Sequence, residues 1–393
     1  MSPHPFPLPL AGEGEGEGRQ KATMQLAQRG VAALAALVIG LWAAPVKAAE
    51  WREEWEKTLA AARREGTIVA GIPASAELRK QIGSGYKERF GIAIELFPSR
   101  GPENATRIIN EYSAGVRYFD ILVAGGATPL TMVSAGATDP LEPYMILPEV
   151  KDPAQWWGGH IWEDNVTTKR YIYAFQCYRS QTFWHNTSQV RAEEIRSYED
   201  LLNPKWKGRT GFLDPRNPGS GQNSWTFLWK VKGEDYLKKL ARQDLLVSQN
   251  QRQIAEGLAK GKLAFTIGLS HYNYEPFLKS GLPVKPVAAI KEGEHANNGS
   301  GVLSVVKNPP HPNAAKLFVN WLLSKEGQGL YGRAMIQGTR RLDVETEWLK
   351  EFGVEACKDT ISVEDYYRLE THLESSVTKL RNPATGLAAR LLK

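Results

Sequence analysis

The chain has few cysteines and lacks the common sequence signatures of catalysis. Only two cysteines occur among its 393 residues, and neither an H-E-x-x-H nor a G-x-S-x-G motif is present. An enzyme needs a nucleophile beside a base or a set of metal ligands, and no carboxylates cluster where the predicted strands end. Cys177 lies in a predicted strand, a position more typical of packing than of nucleophilic attack. These absences argue against an enzyme and leave an exported enzyme as a lesser alternative.

Concentrated charge of one sign is also missing. The formal net charge is +6, and no basic run or basic helix stands out, so nothing indicates nucleic acid as a partner. Aromatic residues are plentiful, with 12 Trp and 14 Tyr, which is compatible with an aromatic-lined cleft as well as with packing. A chain of 393 residues can bury a large core, and we expect two lobes.

The N-terminus lacks any pattern that would form a core. Residues 1–23 are proline-rich and then alternate Gly with Glu, so we predict a disordered leader or a misassigned start. Residues 24–48 have the pattern of an export signal: Arg29 is positive, residues 31–42 are apolar, and small residues favour cleavage after Ala48. The apolar run is short for a membrane span, although an uncleaved anchor helix stays the alternative. No cysteine lies nearby for lipid attachment, and we therefore predict a cleaved, periplasmic protein.

Apolar strands and amphipathic helices alternate after this leader. The predicted strands are 67–72, 92–97 and 119–124, and the predicted helices are 51–65, 76–90 and 103–116. This alternation predicts a parallel sheet with helices on both faces. Ligands of such sheets bind at the carboxyl ends of the strands. Loops of small residues follow all three strands, at 73–75, 99–101 and 125–128.

The pattern changes at Asp139-Pro140 and then resumes as a second α/β unit. Further strands are predicted at 171–178, 245–248, 263–268, 284–290 and 300–306, and further helices at 235–242, 254–260, 314–323 and 326–335. We predict lobe 1 at 51–138 plus 291–338, lobe 2 at 139–290, and a C-terminal helical segment at 339–393 packed on the lobes. The fold class is therefore α/β, with two lobes that each contain a mostly parallel sheet.

A glycine-rich loop dominates the second unit, within residues 203–223. A short strand at 209–213 leads into a loop with two prolines and two glycines, which cannot stay regular. Helical spacing begins directly afterwards. The start of a helix offers unpaired N–H groups and the positive end of the helix dipole, an arrangement that suits an anion. The alternative is a simple strand-to-helix turn.

Several stretches together resemble the type II periplasmic solute-binding proteins of ABC importers, in the branch that includes ferric-ion-binding proteins. The stretches that show this resemblance are Arg107 to Ile121, 198–208, 214–221, 253–261, 300–302, 311–318 and 322–328. The resemblance implies two α/β lobes joined by crossing strands that close on a solute. It also implies no chemistry and no cofactor, with a small-molecule ligand and an inner-membrane ABC permease as partners. These residues do not distinguish an importer subunit from a sensory subunit that presents its ligand to a receptor kinase.

The chain departs from its iron-binding relatives at the residues that bind metal. Tyr272 matches the first of two adjacent tyrosine ligands, but Asn273 replaces the second. Residues 71–75 and 125–128 contain neither the histidine nor the glutamate that the resemblance implies there. Ferric ion needs several anionic oxygen donors, whereas the anion-binding glycine loop is kept. We therefore expect an organic anion such as a carboxylate, a phosphonate or a phosphorylated compound, with ferric iron as the alternative.

Candidate ligand-binding residues come from the strand-end loops, the glycine loop and the tyrosine segment at 270–274, which differs from that of the iron-binding relatives. They are Ser75, Arg100, Thr128, Tyr173, Arg216, Ser220, Gly221, Gln222, His271, Tyr272 and Tyr274. If the ligand is iron, the metal ligands are Tyr272, Tyr274 and His271. A guanidinium binds a carboxylate or phosphate bidentately, which makes Arg216 and Arg100 candidates for contact with an anion. The alternative for Arg216 is a residue that braces its loop, and the alternative for Arg100 is a solvated loop charge. An oxidising compartment permits a disulfide between Cys177 and Cys357, and the sequence leaves that pairing open.

Overall fold

A computed structural model describes residues 50–287 and 290–392, without the side chain of Tyr272. The predicted leader at 1–23 and the predicted export signal at 24–48 lie outside the described residues. The strands are β1 Thr67–Pro73, β2 Ala93–Ser99, β3 Ile121–Ala124, β4 Thr138–Asp139, β5 Tyr173–Ala174, β6 Tyr178–Ser180, β7 Phe183–Asn186, β8 Thr210–Leu213, β9 Leu246–Ser248, β10 Phe265–Ile267, β11 Val284–Pro286, β12 Val302–Val306 and β13 Val354–Ala356.

The α-helices occur along the whole described chain. They are α1 50–65, α2 Ala76–Phe90, α3 Gly101–Ser113, α4 Thr128–Ser134, α5 Pro148–Lys151, α6 Ser220–Lys232, α7 Glu234–Ala241, α8 Gln251–Ala259, α9 Glu275–Lys279, α10 Pro312–Leu323, α11 Lys325–Met335, α12 Cys357–Thr360, α13 Val363–Leu369, α14 Glu374–Ser376 and α15 Asn382–Leu391. A π-helical turn at Val377–Arg381 joins α14 to α15. Short 3₁₀ turns include Tyr198–Leu202 and His271–Asn273.

The first sheet has the strand order β2-β1-β3-β12-β4, and β5 also pairs with β12. Strands β1, β2 and β3 are parallel, as their alternation with helices predicts. Strand β12 runs antiparallel to β3, β4 and β5 because the chain re-enters this sheet from the opposite direction. The carboxyl ends of β1, β2 and β3 therefore share one edge of the sheet.

The second sheet has the order β11-β7-β10-β8-β9. Strand β8 is parallel to both β9 and β10, whereas β7 is antiparallel to β10 and β11. The predicted parallel arrangement is thus present on one side of each sheet, in β2-β1-β3 and in β10-β8-β9, and the other strands are antiparallel. The predicted α/β class is confirmed, and the boundaries proposed for the lobes stay a prediction.

Helix α2 shows how local sequence sets an element's ends. The hydroxyl of Ser75 accepts a hydrogen bond of 3.1 Å from the Leu78 N–H, and the left-handed backbone of Gly91 (φ 70°) ends the helix. Both helix bounds match the sequence prediction of a helix at 76–90. The long strand predicted at 171–178 is wrong, because the chain forms β5 and β6 with an interruption between them.

The C-terminal segment, residues 339–392, is tied to the second unit by a covalent bond. Cys177 and Cys357 form a disulfide with their Cα atoms 5.4 Å apart, beside the pairing of β6 with β13. Trp225 in α6 donates from its indole N–H to the carbonyl of Ala384 over 2.9 Å. Leu373 and Leu387 belong to the same hydrophobic cluster as Trp225. The segment is therefore integral to this core, and its strand β13 is absent from the sequence prediction of helices.

Asp120 connects three elements from a fully buried position. One carboxylate oxygen accepts from the Val69 N–H at 2.8 Å and pairs with the His311 ring at 2.9 Å, and the other accepts from the His311 N–H at 2.7 Å. The carboxylate therefore joins β1 to β3 and to the start of α10. Removing it leaves a buried backbone N–H group without an acceptor, which costs free energy.

We expect Asp120→Ala to lower the free energy of unfolding by about 3 kcal/mol, because buried donors lose a charged acceptor. Urea unfolding followed by tryptophan fluorescence measures the change. Asp152→Ala is the matched control, since exposed Asp152 accepts from the Ala154 N–H and the Gln155 side chain at the surface and its loss should cost about 1 kcal/mol or less. Equal losses in the two variants would contradict the role assigned to Asp120.

Candidate functional site

The glycine loop turns directly from the end of β8 into the start of α6. A Cβ added at Gly221 would lie 2.2 Å from the Leu213 carbonyl oxygen, so only glycine fits this approach. Gly219 has a φ of 144°, and the Ser220 hydroxyl donates to the Gly268 carbonyl over 2.6 Å. The sequence prediction of a strand, an irregular loop and a helix start is confirmed here. The loop brings the first N–H groups of α6 to the end of the second sheet.

Arg216 braces this loop. Its guanidinium donates to both carboxylate oxygens of Asp214, at 2.8 and 2.9 Å, and to the Leu392 carbonyl at 3.1 Å. All three guanidinium nitrogens therefore already have protein acceptors. This arrangement matches the loop-bracing alternative, and the anion clamp stays a prediction for Arg216.

The loops at the edge of the first sheet contact each other. Arg100 is a solvent-exposed residue whose guanidinium pairs with Glu103 at 2.6 Å. A Cβ added at Gly101 would lie 3.2 Å from the Thr128 hydroxyl, so the loop after β2 touches the loop after β3. The structure thus brings Thr128 to the neighbourhood of Gly101, whereas the Ser75 hydroxyl serves as a helix cap.

In the tyrosine segment at 270–274, the side chain of the last residue, Tyr274, points into the protein interior. Tyr274 is fully buried and stacks on Trp184 with ring centroids 4.3 Å apart, and its hydroxyl bonds with that of Thr266. Burial raises the pKa of Tyr274 above its ordinary value, which opposes formation of a tyrosinate. Asn273 donates to Gln251 over 2.7 Å. The side chain of Tyr272 lies outside the described residues.

His271 and Tyr173 occupy separate aromatic surroundings. The His271 ring lies 5.9 Å from that of Trp184, and burial lowers the His271 pKa. Tyr173 is fully buried and meets Trp156 and Trp162 edge to face. Its hydroxyl has no hydrogen-bond partner among the described residues. Burial raises the Tyr173 pKa, so this tyrosine stays neutral at ordinary pH.

The C-terminal segment reaches the predicted ligand-facing loops of both sheets. Gln222, at the start of α6, donates to the Thr385 hydroxyl over 3.0 Å. One helical turn earlier, Arg381 approaches the loop after β3: a Cβ added at Gly126 would lie 3.5 Å from its Nη1. The same Cβ would lie 3.5 Å from the Cβ of His372. The segment therefore spans from one loop to the other, which the sequence does not reveal.

A buried polar cluster lies where this segment meets the loop after β3. Its members are Glu163, His295, Asn298, Glu370, His372 and Arg381, all buried. Asn298 donates to Glu163, and His372 Nε2 lies 2.9 Å from the Tyr366 hydroxyl. Buried polar atoms without a partner in the described structure include Glu163 Oε2, His372 Nδ1 and Arg381 Nε. The cluster is therefore only partly satisfied by the protein's own groups.

Burial controls the charges in the cluster. It raises the pKa of Glu163 well above its ordinary range and lowers the pKa of both His295 and His372 to about 4. Burial also lowers the pKa of Arg381 to about 10, which still leaves the guanidinium charged near neutral pH. The histidines are neutral under those conditions, and the neutral form of Glu163 is favoured.

Sequence reasoning misses this cluster because its members come from segments that look like solvated loops. Residues 292–299 read as a polar loop, yet His295 and Asn298 are buried. Glu370 and His372 lie inside the segment 339–393, which the sequence predicts only as helical and packed on the lobes. Spacing in the sequence gives no sign that these residues meet Glu163.

Two further searches of the described chain bear on function. No group of three or more His, Cys, Asp and Glu side chains that could hold a metal ion occurs in residues 50–287 and 290–392. Among the helices of the same described residues, none has the length and apolar character needed to cross a membrane.

Comparisons of sequence identify related proteins. The family profile described as bacterial extracellular solute-binding protein matches residues 75–329. Iron uptake protein A1 of Synechocystis sp. is 26% identical over 169 residues, 38% of this chain and 45% of the relative. An uncharacterized protein of Haemophilus influenzae is 28% identical over 142 residues, 35% of this chain and 40% of the relative. The chain thus matches less than half the length of these curated relatives.

Solved structures resemble the chain over most of its length. FutA (IdiA) of Trichodesmium, in complex with iron and citrate, has a TM-score of 0.62 at 20% identity and covers 83% of this chain and 99% of its own. AfuA of Actinobacillus pleuropneumoniae, with fructose-6-phosphate bound, has a TM-score of 0.56 at 19% identity, with 82% and 99% covered. The ferric binding protein of Campylobacter jejuni has a TM-score of 0.62 at 16% identity, with 83% and 99% covered. At these identities the likeness shows the fold.

Proposed function

Because the chain belongs to the bacterial extracellular solute-binding protein family, we propose that it captures a small solute in the periplasm and delivers it to the permease of an ABC importer. The solute is a small organic anion: a carboxylate, a phosphonate or a phosphorylated compound. It binds between the loop after β3 and the glycine loop before α6. The protein performs no catalysis and needs no cofactor for this role.

The observation that carries the choice of ligand is the position of Tyr274. Iron would need tyrosinate oxygens, but this hydroxyl is buried against Trp184 and bonded to Thr266. Asn273, in place of a second adjacent tyrosine, supplies a neutral amide already bonded to Gln251. His271 is a neutral donor and cannot replace the missing negative charge. The anion-binding half, a glycine loop opening α6, is present.

Ferric iron stays the second candidate because of particular relatives. One curated relative is named for iron uptake, and the FutA structure contains iron with citrate. The AfuA structure, in contrast, contains fructose-6-phosphate and supports a phosphorylated solute on the same fold. The identities are too low for either ligand to be transferred without a test.

A thermal-shift screen of the mature protein distinguishes the two candidates. The probes are citrate, methylphosphonate, fructose-6-phosphate and ferric nitrilotriacetate, with nitrilotriacetate alone as control. A ligand that binds only the folded protein raises the unfolding midpoint, and the stabilisation grows with the logarithm of its concentration relative to Kd. We expect at least one iron-free organic anion to raise the midpoint. A shift with ferric nitrilotriacetate and with no organic anion would reject the proposal in favour of iron.

A further inference from the structure

Arg381 is a buried guanidinium without a direct ion-pair partner. The residue is only 8% exposed, its Nε lacks a hydrogen-bond partner, and no carboxylate of the described residues forms an ion pair with it, although Glu163 and Glu370 lie near enough to attract it. The other two deeply buried arginines differ. Arg340 donates to backbone carbonyls of neighbouring loops, and Arg341 pairs with Asp343 at 2.8 Å. A buried charge without a partner is costly, which makes Arg381 the exception to be explained.

Glu163 and Glu370 attract the Arg381 guanidinium electrostatically, but neither carboxyl group forms a hydrogen bond or ion pair with it in the described structure. Glu370 already accepts from the Lys230 ammonium at 3.2 Å, from the Ser376 hydroxyl at 2.6 Å and from two backbone N–H groups. Glu163 accepts from Asn298, and burial favours its neutral form. The guanidinium therefore has no direct ion-pair partner within the buried polar cluster. A negatively charged group from outside the protein would supply one.

The backbone at Arg381 is also unusual. Arg381 is the last residue of a π-helical turn, Val377–Arg381, inserted between α14 and α15. Such turns inside α-helices occur frequently at functional sites because they redirect one side chain. Here the side chain reaches the loop after β3, where a Cβ at Gly126 would lie 3.5 Å from Nη1. This edge is where ligands of parallel sheets bind.

We propose that Arg381, carried to the loop after β3 by the C-terminal segment, binds the oxyanion of the solute, with His372 Nδ1 and Glu163 Oε2 as additional polar contacts. This inference rests on the proposed function and names the residue that recognises the anion. The guanidinium fork fits a carboxylate, a phosphate or a phosphonate equally well, because all present two oxygens in suitable geometry. Arg381 is thus a ligand-binding residue outside the glycine loop.

Calorimetric titration of the mature protein and its Arg381→Gln variant tests the proposal, with inorganic phosphate, citrate and fructose-6-phosphate as probes. The probe that binds the wild type should bind Arg381→Gln about 10- to 100-fold more weakly, the range for a lost charged hydrogen bond. Arg381→Lys should fall between them, since an ammonium cannot form the bidentate pair. Arg368→Gln is the matched control, because exposed Arg368 in the same segment pairs only with Asp365 and should leave affinity unchanged. Which probe binds separates carboxylate from phosphate chemistry.

The stability of the ligand-free protein gives a second readout. Arg381→Gln should keep or raise the unfolding midpoint because it removes a buried charge that has no direct ion-pair partner, whereas Arg341→Gln should lower it. If both variants lose stability alike, Arg381 is structural and the inference is overturned. If an anion binds wild type and Arg381→Gln with equal affinity, the inference fails but the proposed function stands. If only ferric nitrilotriacetate binds the wild type, the proposed function itself fails.

Discussion

Replacing both cysteines, Cys177→Ala with Cys357→Ala, is expected to lower the free energy of unfolding by about 5 kcal/mol in the chain-entropy view. The two cysteines are separated by 180 residues, so their disulfide strongly restricts the unfolded chain. The disulfide also holds β6 against β13, a strand of the C-terminal segment. Urea unfolding of the oxidised protein and of the variant measures the difference.

The reduced wild type is the control for this prediction. Both cysteines are buried, and each substitution removes only one sulfur atom from the core. We therefore expect the loss of the disulfide bond to account for most of the change in stability. Wild type unfolded and refolded in the presence of dithiothreitol should therefore approach the stability of the double variant. A difference below 1 kcal/mol between oxidised wild type and the variant would contradict the structural role of the disulfide.

Acidification from pH 7.5 to 5 is expected to cost about 2 kcal/mol for each of His295 and His372. Their folded pKa of about 4 lies below the ordinary value of 6.5, because burial disfavours the charged ring. Between pH 6.5 and 4 the two histidines therefore bind more protons in the unfolded chain than in the folded protein. Their stabilisation is complete above pH 6.5 and is lost as the pH falls toward 4. Arg381 opposes protonation of both rings, and Lys230 opposes that of His372, while Glu370 favours it.

Urea unfolding at a series of pH values measures this slope. Each single variant, His295→Gln and His372→Gln, should reduce the cost of acidification from pH 7.5 to 5 by about 2 kcal/mol, and the double variant should reduce it by about 4 kcal/mol. Glu294, whose pKa burial raises to about 7, acts in the opposite direction and is unchanged in all three variants. Comparing slopes within each variant removes the constant cost of the substitution itself. The same slope in the double variant as in the wild type would show that these histidines are not the groups that titrate.

Local patterns in the sequence predict much of the fold. Helix α2 needs only a serine cap, an apolar face and a terminating glycine, all of which lie within one short stretch. The parallel strands β1, β2 and β3 follow from continuous apolar runs between helices. The glycine loop before α6 is likewise local, since Gly221 is required by its contact with the strand just before it.

The candidate site is less predictable because its partners are far apart in the chain. Asn298 and Glu163 are separated by 135 residues, and Gln222 and Thr385 by 163. A polar loop and a polar helix look solvated in sequence when the groups that bury them lie elsewhere. Tyr274 illustrates the converse: its sequence neighbours predict a ligand-binding residue, whereas packing on Trp184 places its side chain in a core.

The most direct measurement for the central claim is a pair of titrations of the same mature protein, followed by tryptophan fluorescence. One titration uses iron-free fructose-6-phosphate, citrate and methylphosphonate, and the other uses ferric nitrilotriacetate while visible absorption is recorded. Binding of an organic anion, with no ferric tyrosinate absorption band, is the result predicted for a solute-binding protein of organic anions. A tyrosinate band that rises to one iron per chain, with no response to any iron-free anion, would contradict it.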